Sequence, residues 1–181
     1  MISGNLAARA LGGTARGVAT VVCLAACIPI ALVAQDETGL KIGSKAPVVM
    51  VNDLDGKPVD LGQWVGRKPV LIEFWATWCG NCEALLPRLQ AANKQFGDKI
   101  EFIGVNVTVN QTPEKVRRYV SEHDYPLRVL YDDKGTSTRA YKAPATSYVV
   151  VVDRTGTVVY TGVGADQELD PAIQRAIGTA N

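Results

Sequence analysis

Past residue 45 the apolar positions change period several times, and each change marks an element. Residues 48–52 alternate weakly and read as a strand. Asp53-Leu54-Asp55-Gly56-Lys57-Pro58 is a turn, and Val59-Asp60 returns as a short partner. Residues 61–65 read as one helical turn. Residues 69–75 are apolar on both faces and start at a proline, which suits a buried strand. Over 83–96, Leu85, Leu86, Leu89, Ala92 and Phe96 recur at helical spacing, and Gly97 stops the run. Residues 100–109 are rich in β-branched side chains and predict a strand. Thr112-Pro113-Glu114 opens a helix to about residue 122, since threonine caps and proline suits the first helical position. A short strand over 127–131 and a short helix over 136–141 follow. Residues 146–152 and 157–161 flank Asp153-Arg154-Thr155-Gly156, a hairpin turn signal. Asp170-Pro171 begins a last helix to about 177. Strands alternating with helices and closing on a hairpin predict an α/β fold around a mixed central sheet.

Residues 1–34 break this pattern. The first sixteen hold Arg9 and Arg16 and no acid, and 17–34 carry no charge at all before Gln35-Asp36-Glu37. A basic stretch, an apolar stretch and a small-residue exit describe a secretory signal. The same apolar run is long enough to span a bilayer as an uncleaved anchor. Leu24-Ala25-Ala26-Cys27 resembles a bacterial lipobox, which would make Cys27 the lipid-bearing residue, although the apolar residues 28–34 differ from the polar tether of lipoproteins. A core helix is disfavoured by Pro29. Each of the three readings places the folded part on the far side of the membrane, where disulfides persist. The division expected is 1–34 as signal peptide or anchor, 35–45 as linker and 46–181 as the folded domain. The tether to a membrane would run through 17–34 or Cys27.

Composition narrows the function classes. The 181 residues are 47% apolar and 20% charged, enough for one domain with a real core. The net charge is +1, so no bulk field draws nucleic acid, and no nucleic-acid partner is expected.

With Cys23 and Cys27 in the leader, the folded part owns only Cys79 and Cys82. Cys79-Gly80-Asn81-Cys82 sits between a buried strand and a helix. Two cysteines three apart at a helix start share a face and are close enough to bridge. The Cys79 sulfur stands beside unpaired backbone N–H groups, which favour thiolate over thiol. Cys82 lies one turn inside and is shielded. An exposed nucleophile and a buried resolving thiol are what exchange through a mixed disulfide requires. A structural or metal-binding pair is the alternative. Zinc wants four ligands, and the single histidine, His123, lies in a polar Ser-Glu-His-Asp stretch that reads as a solvated helix end. No metal and no cofactor is expected. Trp75 reads as packing, and Trp78 as flanking the exposed sulfur. A carboxyl at Glu73, within a strand apolar on both sides, needs a reason; a register slip of one would turn it to solvent.

At this point the sequence resembles a family. Glu73-Phe74-Trp75-Ala76-Thr77-Trp78-Cys79 looks like the approach to the thioredoxin active site, and residues 43–181 resemble the exported TlpA/ResA branch. Four features carry the closer match: Ala46-Pro47, residues 53–57 before a 66–69 approach, the inserted strand and helix around 100–122, and Pro144-Ala145-Thr146 ahead of the valine run to Asp153. The resemblance implies a thioredoxin fold with helices on both faces of the sheet and an N-terminal strand extension. It implies disulfide exchange with protein thiol or disulfide clients, served by an upstream membrane electron donor. It implies that Pro144 is a cis-proline facing the cysteines, with Ala143 beside it, and that Glu73 is the buried acid behind the motif. Taken alone, Ala143-Pro144 could equally be an ordinary trans loop proline.

Three departures bear on redox potential, proton route and direction. Asn81 replaces the usual proline of the dipeptide, Glu83 the usual base after the second cysteine, and Leu85 the glutamate some members carry three residues after that cysteine. Two rival functions fit less well. Peroxide-reducing relatives need threonine or serine three residues before the reactive cysteine and proline seven before, where this chain has Ala76 and Ile72. Copper-delivery relatives use a wider cysteine spacing and a distal histidine.

Overall fold

The computed structural model describes residues 39–178. The leader, with Cys23 and Cys27, lies outside them. Among the described residues no helix is long and apolar enough to cross a membrane.

Seven strands form one sheet: β1 (Met50–Asn52), β2 (Pro58–Asp60), β3 (Val70–Trp75), β4 (Glu101–Val107), β5 (Arg128–Asp132), β6 (Tyr148–Val152) and β7 (Val158–Val163). Their order is β2-β1-β5-β4-β3-β6-β7. Among the described residues four α-helices accompany them: α1 (Gly80–Phe96), α2 (Pro113–Glu122), α3 (Thr136–Ala140) and α4 (Leu169–Gly178). β3, β4 and β5 are parallel, while β6, β7, β1 and β2 pair antiparallel. The mixed sheet is the thioredoxin-like arrangement the sequence implied, with the N-terminal β1–β2 pair at one edge and β4 between β3 and β5.

β3 lies inside the sheet between β4 and β6 and is buried along its whole length. A strand covered on both faces reads as an apolar run, here interrupted only by Glu73. Val70, Ile72 and Phe74 pack on one face with Trp64, Leu130 and Tyr141. Leu71 packs on the other with Leu85 and Leu89 of α1 and Ile173 of α4. Side chains alternate along a strand, so Glu73 and Trp75 share the α1 face with Leu71.

Several element ends differ from the periodic reading, and three of the differences have a local cause. α1 begins at Gly80, three residues earlier than its apolar spacing suggests, because Cys79 is itself the cap. β4 stops at Val107 because residues 108–111 leave the sheet, with Asn110 in the left-handed region at φ 55°. β6 starts at Tyr148 because Ser147 adopts φ 64° and cannot continue an extended ladder. The Thr112 cap of α2 forms as expected, its side chain accepting from the Lys115 N–H at 3.3 Å.

Candidate active site

β3 ends at Trp75, and Ala76-Thr77-Trp78 carries the chain to the head of α1. Cys79 and Cys82 are joined by a disulfide, with Cα atoms 5.2 Å apart. Cys79 precedes the helix in extended conformation, and its Sγ accepts the Cys82 N–H at 3.0 Å. A hydrogen bond from a helix-start N–H stabilises sulfur more as its negative charge grows. The expected contrast in exposure is absent in this bridged state: Cys79 is 7% exposed and Cys82 5%. Both pack with Trp75, Ala76 and Val116 of α2, which shields the joined sulfurs equally. What separates them is backbone position, one before the helix and one within it.

Trp78 is 52% exposed, and its Nε1 donates to the Val109 carbonyl at 2.7 Å. Val109 is 63% exposed, so the two form an apolar shoulder beside Cys79. Behind them, buried Gln111 clamps the loop. Its Oε1 accepts from the Thr77 N–H at 3.0 Å and from Asn106 Nδ2 at 3.2 Å. Its Nε2 donates to Thr77 Oγ1 at 3.1 Å and to the Asn110 carbonyl at 3.0 Å. A single side chain therefore ties the segment before Cys79 to the end of β4.

Glu73 is fully buried, so the register that would have turned it to solvent is not the one adopted. Its neighbours across the strands are Gly104 of β4 and Val149 of β6. Tyr125, in the loop before β5, donates its hydroxyl to Glu73 Oε2 at 2.7 Å. The other oxygen, Oε1, is buried with no hydrogen-bond partner. Burial pushes the Glu73 carboxyl up to about 7, and the Tyr125 hydrogen bond opposes that rise. Burial, followed by the charge of Glu73, drives the Tyr125 phenol well above the usual tyrosine range. The Tyr125 ring reaches the site through Trp75, on which it stacks with centroids 4.3 Å apart. A Cβ at position 104 would overlap the Tyr125 hydroxyl and lie 2.9 Å from Trp75 Nε1, so only glycine leaves this space open.

Pro144 is exposed in the loop between α3 and β6, and Ala143 is half-buried. The residue that abuts the end of β3 is Ser147, whose N–H donates to the Phe74 carbonyl at 2.7 Å. Ser147 is buried, and its left-handed backbone is held from several sides. Its Oγ donates to the Gly164 carbonyl at 2.9 Å, and Gln167 Nε2 donates to the Ser147 carbonyl at 2.9 Å. His123 is not simply solvated: its ring stacks on Tyr119 at 4.0 Å.

Gly104, Gln111, Tyr125 and Ser147 are absent from the sequence reading. A lone glycine inside a β-branched strand signals a close approach, and Gly104 could have been found that way. The others carry no local signal, since their partners lie 20 or more positions away in most cases.

A bridged Cys-x-x-Cys pair at the first turn of the helix that follows a buried interior strand of a thioredoxin-like sheet is the site of the thiol–disulfide oxidoreductases. Comparison with known proteins agrees. The Redoxin family model matches residues 41–177, and the chain belongs to that family. It is 29% identical to the thioredoxin-like protein YneN of Bacillus subtilis over 137 residues, 74% of this chain and 79% of that one. It is 29% identical to the thiol-disulfide oxidoreductase ResA of Bacillus thuringiensis over 124 residues, 68% of this chain and 70% of that one. Among solved structures it resembles the thioredoxin domain of a thiol-disulfide oxidoreductase from Bacteroides vulgatus, at 25% identity and TM-score 0.66, covering 76% of this chain and 99% of the other. The protein is a disulfide oxidoreductase of the thioredoxin-like TlpA/ResA type.

Proposed function

We propose that this oxidoreductase works outside the cytoplasm as a reductant of protein disulfides, with Cys79 as nucleophile and Cys82 as resolving thiol. The observation that carries the roles is the hydrogen bond from the Cys82 N–H to Cys79 Sγ at the head of α1, which favours a thiolate at Cys79. In the reduced protein the Cys79 thiolate attacks a client disulfide and expels one client sulfur. Cys82 then gives up its proton and attacks Cys79, forming the Cys79–Cys82 bridge and releasing the second client sulfur. Two electrons pass to the client, and a dithiol donor in the membrane returns them. Glu73 is the acceptor of the Cys82 proton, a task suited to a carboxyl that titrates near neutrality. Trp78, with Val109, is the client-facing shoulder, and the loop carrying Ala143 and Pro144 down to Ser147 is its counterpart across the motif.

The reducing direction is supported by two acids. Glu83 lies exposed in the first turn of α1, where it competes for the positive helix end. Glu73 lies beneath. Both disfavour the strongly stabilised thiolate of an oxidase. The uncharged run over 17–34 supports the location. Trapping tests the proposal: the full chain carrying Cys82→Ser, produced in its own host, should collect extracytoplasmic proteins in mixed disulfides on Cys79. Recovery of cytoplasmic adducts alone, or of none, would overturn it.

A further inference from the structure

We propose that Tyr125 is a positioning residue for the exchange: its hydroxyl, admitted by the missing side chain of Gly104, holds one Glu73 oxygen and leaves the other free for the Cys82 proton. This rests on the reading of Glu73 given above. Four observations converge on it. Glu73 and Gly104 are paired across β3 and β4. A Cβ at 104 would occupy the place of the Tyr125 hydroxyl. That hydroxyl lies 2.7 Å from Glu73 Oε2, while buried Oε1 has no partner. The Tyr125 ring stacks on Trp75, which shares one packed cluster with both cysteines.

The chemistry follows from the donor. A phenol donating to a carboxyl oxygen strengthens as that carboxyl ionises, so it favours the base form. Resolution of the mixed disulfide needs that form: the Cys82 proton moves to Glu73, the Cys82 sulfur bonds to Cys79, and the client sulfur leaves with the bonding pair. The titratable groups coupled to Glu73 are Tyr125 itself and Tyr119 of α2, and Trp75, its same-face neighbour on β3, packs in one cluster with Cys79 and Cys82. The strand neighbours Gly104 and Val149 contribute none. Glu83 of α1 acts on Tyr119 from outside. Of these groups Tyr125 alone donates to the carboxyl, while the Tyr119 ring packs tilted against Trp75 with centroids 5.4 Å apart.

The test uses the full chain with Cys23→Ser and Cys27→Ser to remove background thiols, reduced and mixed with the aromatic disulfide dithiobis(nitrobenzoate). The first thionitrobenzoate released reports attack by Cys79 and the second reports resolution by Cys82. In Tyr125→Phe the pH profile of the second phase should move up by about one unit, and its rate at pH 7 should fall roughly fivefold. The first phase should be unchanged, and the two rates should converge at high pH. Carbon-13 NMR of the Glu73 carboxyl in the oxidised protein, where neither sulfur titrates, should show the same upward shift. A loss of thermal stability without a shift in either profile would mean that Tyr125 only packs, and would overturn the proposal. Glu73→Gln separates the two layers. If it leaves the second phase unchanged, the Glu73 reading falls and this one with it. If it slows that phase and Tyr125→Phe does not, the Tyr125 role alone fails.

Discussion

Cys79 and Cys82 differ by three positions and by little in exposure, yet their backbones give them different chemistry. Cys79 stands outside the helix with its sulfur accepting an N–H, and Cys82 is held within the first turn. In the reduced protein Cys79 should react with iodoacetamide at least tenfold faster than Cys82, because the thiolate is the reactive form. Peptide mapping after timed alkylation checks this, and faster labelling of Cys82 would reverse the assignment. Glu73 makes a different kind of prediction. The unfolded chain loses this proton near the ordinary carboxyl value of 4.5, whereas the folded protein keeps it to about 7. Between those values the native state binds more protons, so stability falls as pH rises and levels off above 7. The whole loss is at most about 3 kcal/mol. Glu73→Gln abolishes that slope, so the oxidised variant should match its parent near pH 4 and exceed it near pH 8. Urea unfolding at both pH values measures the difference.

Elements meet the motif through one loop. Residues 108–111 depart from β4 and reach the segment before Cys79 by the Gln111 side chain and the Val109 carbonyl. Gln111→Leu keeps the volume and removes every side-chain hydrogen bond. The Thr77 N–H and Asn106 Nδ2 then lose their acceptor in a buried place, which costs about 2 kcal/mol or more. Hydrogen exchange at the Thr77 amide should accelerate beyond what the global loss explains, because the loop ahead of Cys79 is released locally. Exchange slowed or unchanged there would show that the turn holds itself.

For the molecule as a whole the open quantity is the poise of the disulfide. Related folds span about −270 to −120 mV, and about 30 mV corresponds to 1.4 kcal/mol. An exposed Glu83 near Cys79 is worth only a few tenths of a kcal/mol, hence roughly 10 mV. Glu83→Lys should therefore raise the potential by roughly 20 mV at low salt, and less at high salt because the pair is screened. Equilibration with glutathione at two salt concentrations reads both effects. A parent potential near the oxidising end would show that Gly80-Asn81 outweighs the two acids.

The order of elements, the strand-to-helix step, the cysteine pair and the Thr112 cap were legible from local pattern. Each depends on residues a few positions apart, and periodicity, capping and turn chemistry act over that range. The burial of Glu73 was legible too, because the five other residues of β3 are apolar and leave neither face for solvent. Tertiary structure alone decided what surrounds that acid. Tyr125 meets it across 52 positions, Gly104 clears the space, and Gln111 reaches Thr77 across 34. It also decided that Ser147 abuts the end of β3, since that depends on where an antiparallel ladder begins. Hydrophobic period constrains which face of an element is buried; it does not encode which polar groups meet there, because those contacts are set by sheet register and loop path.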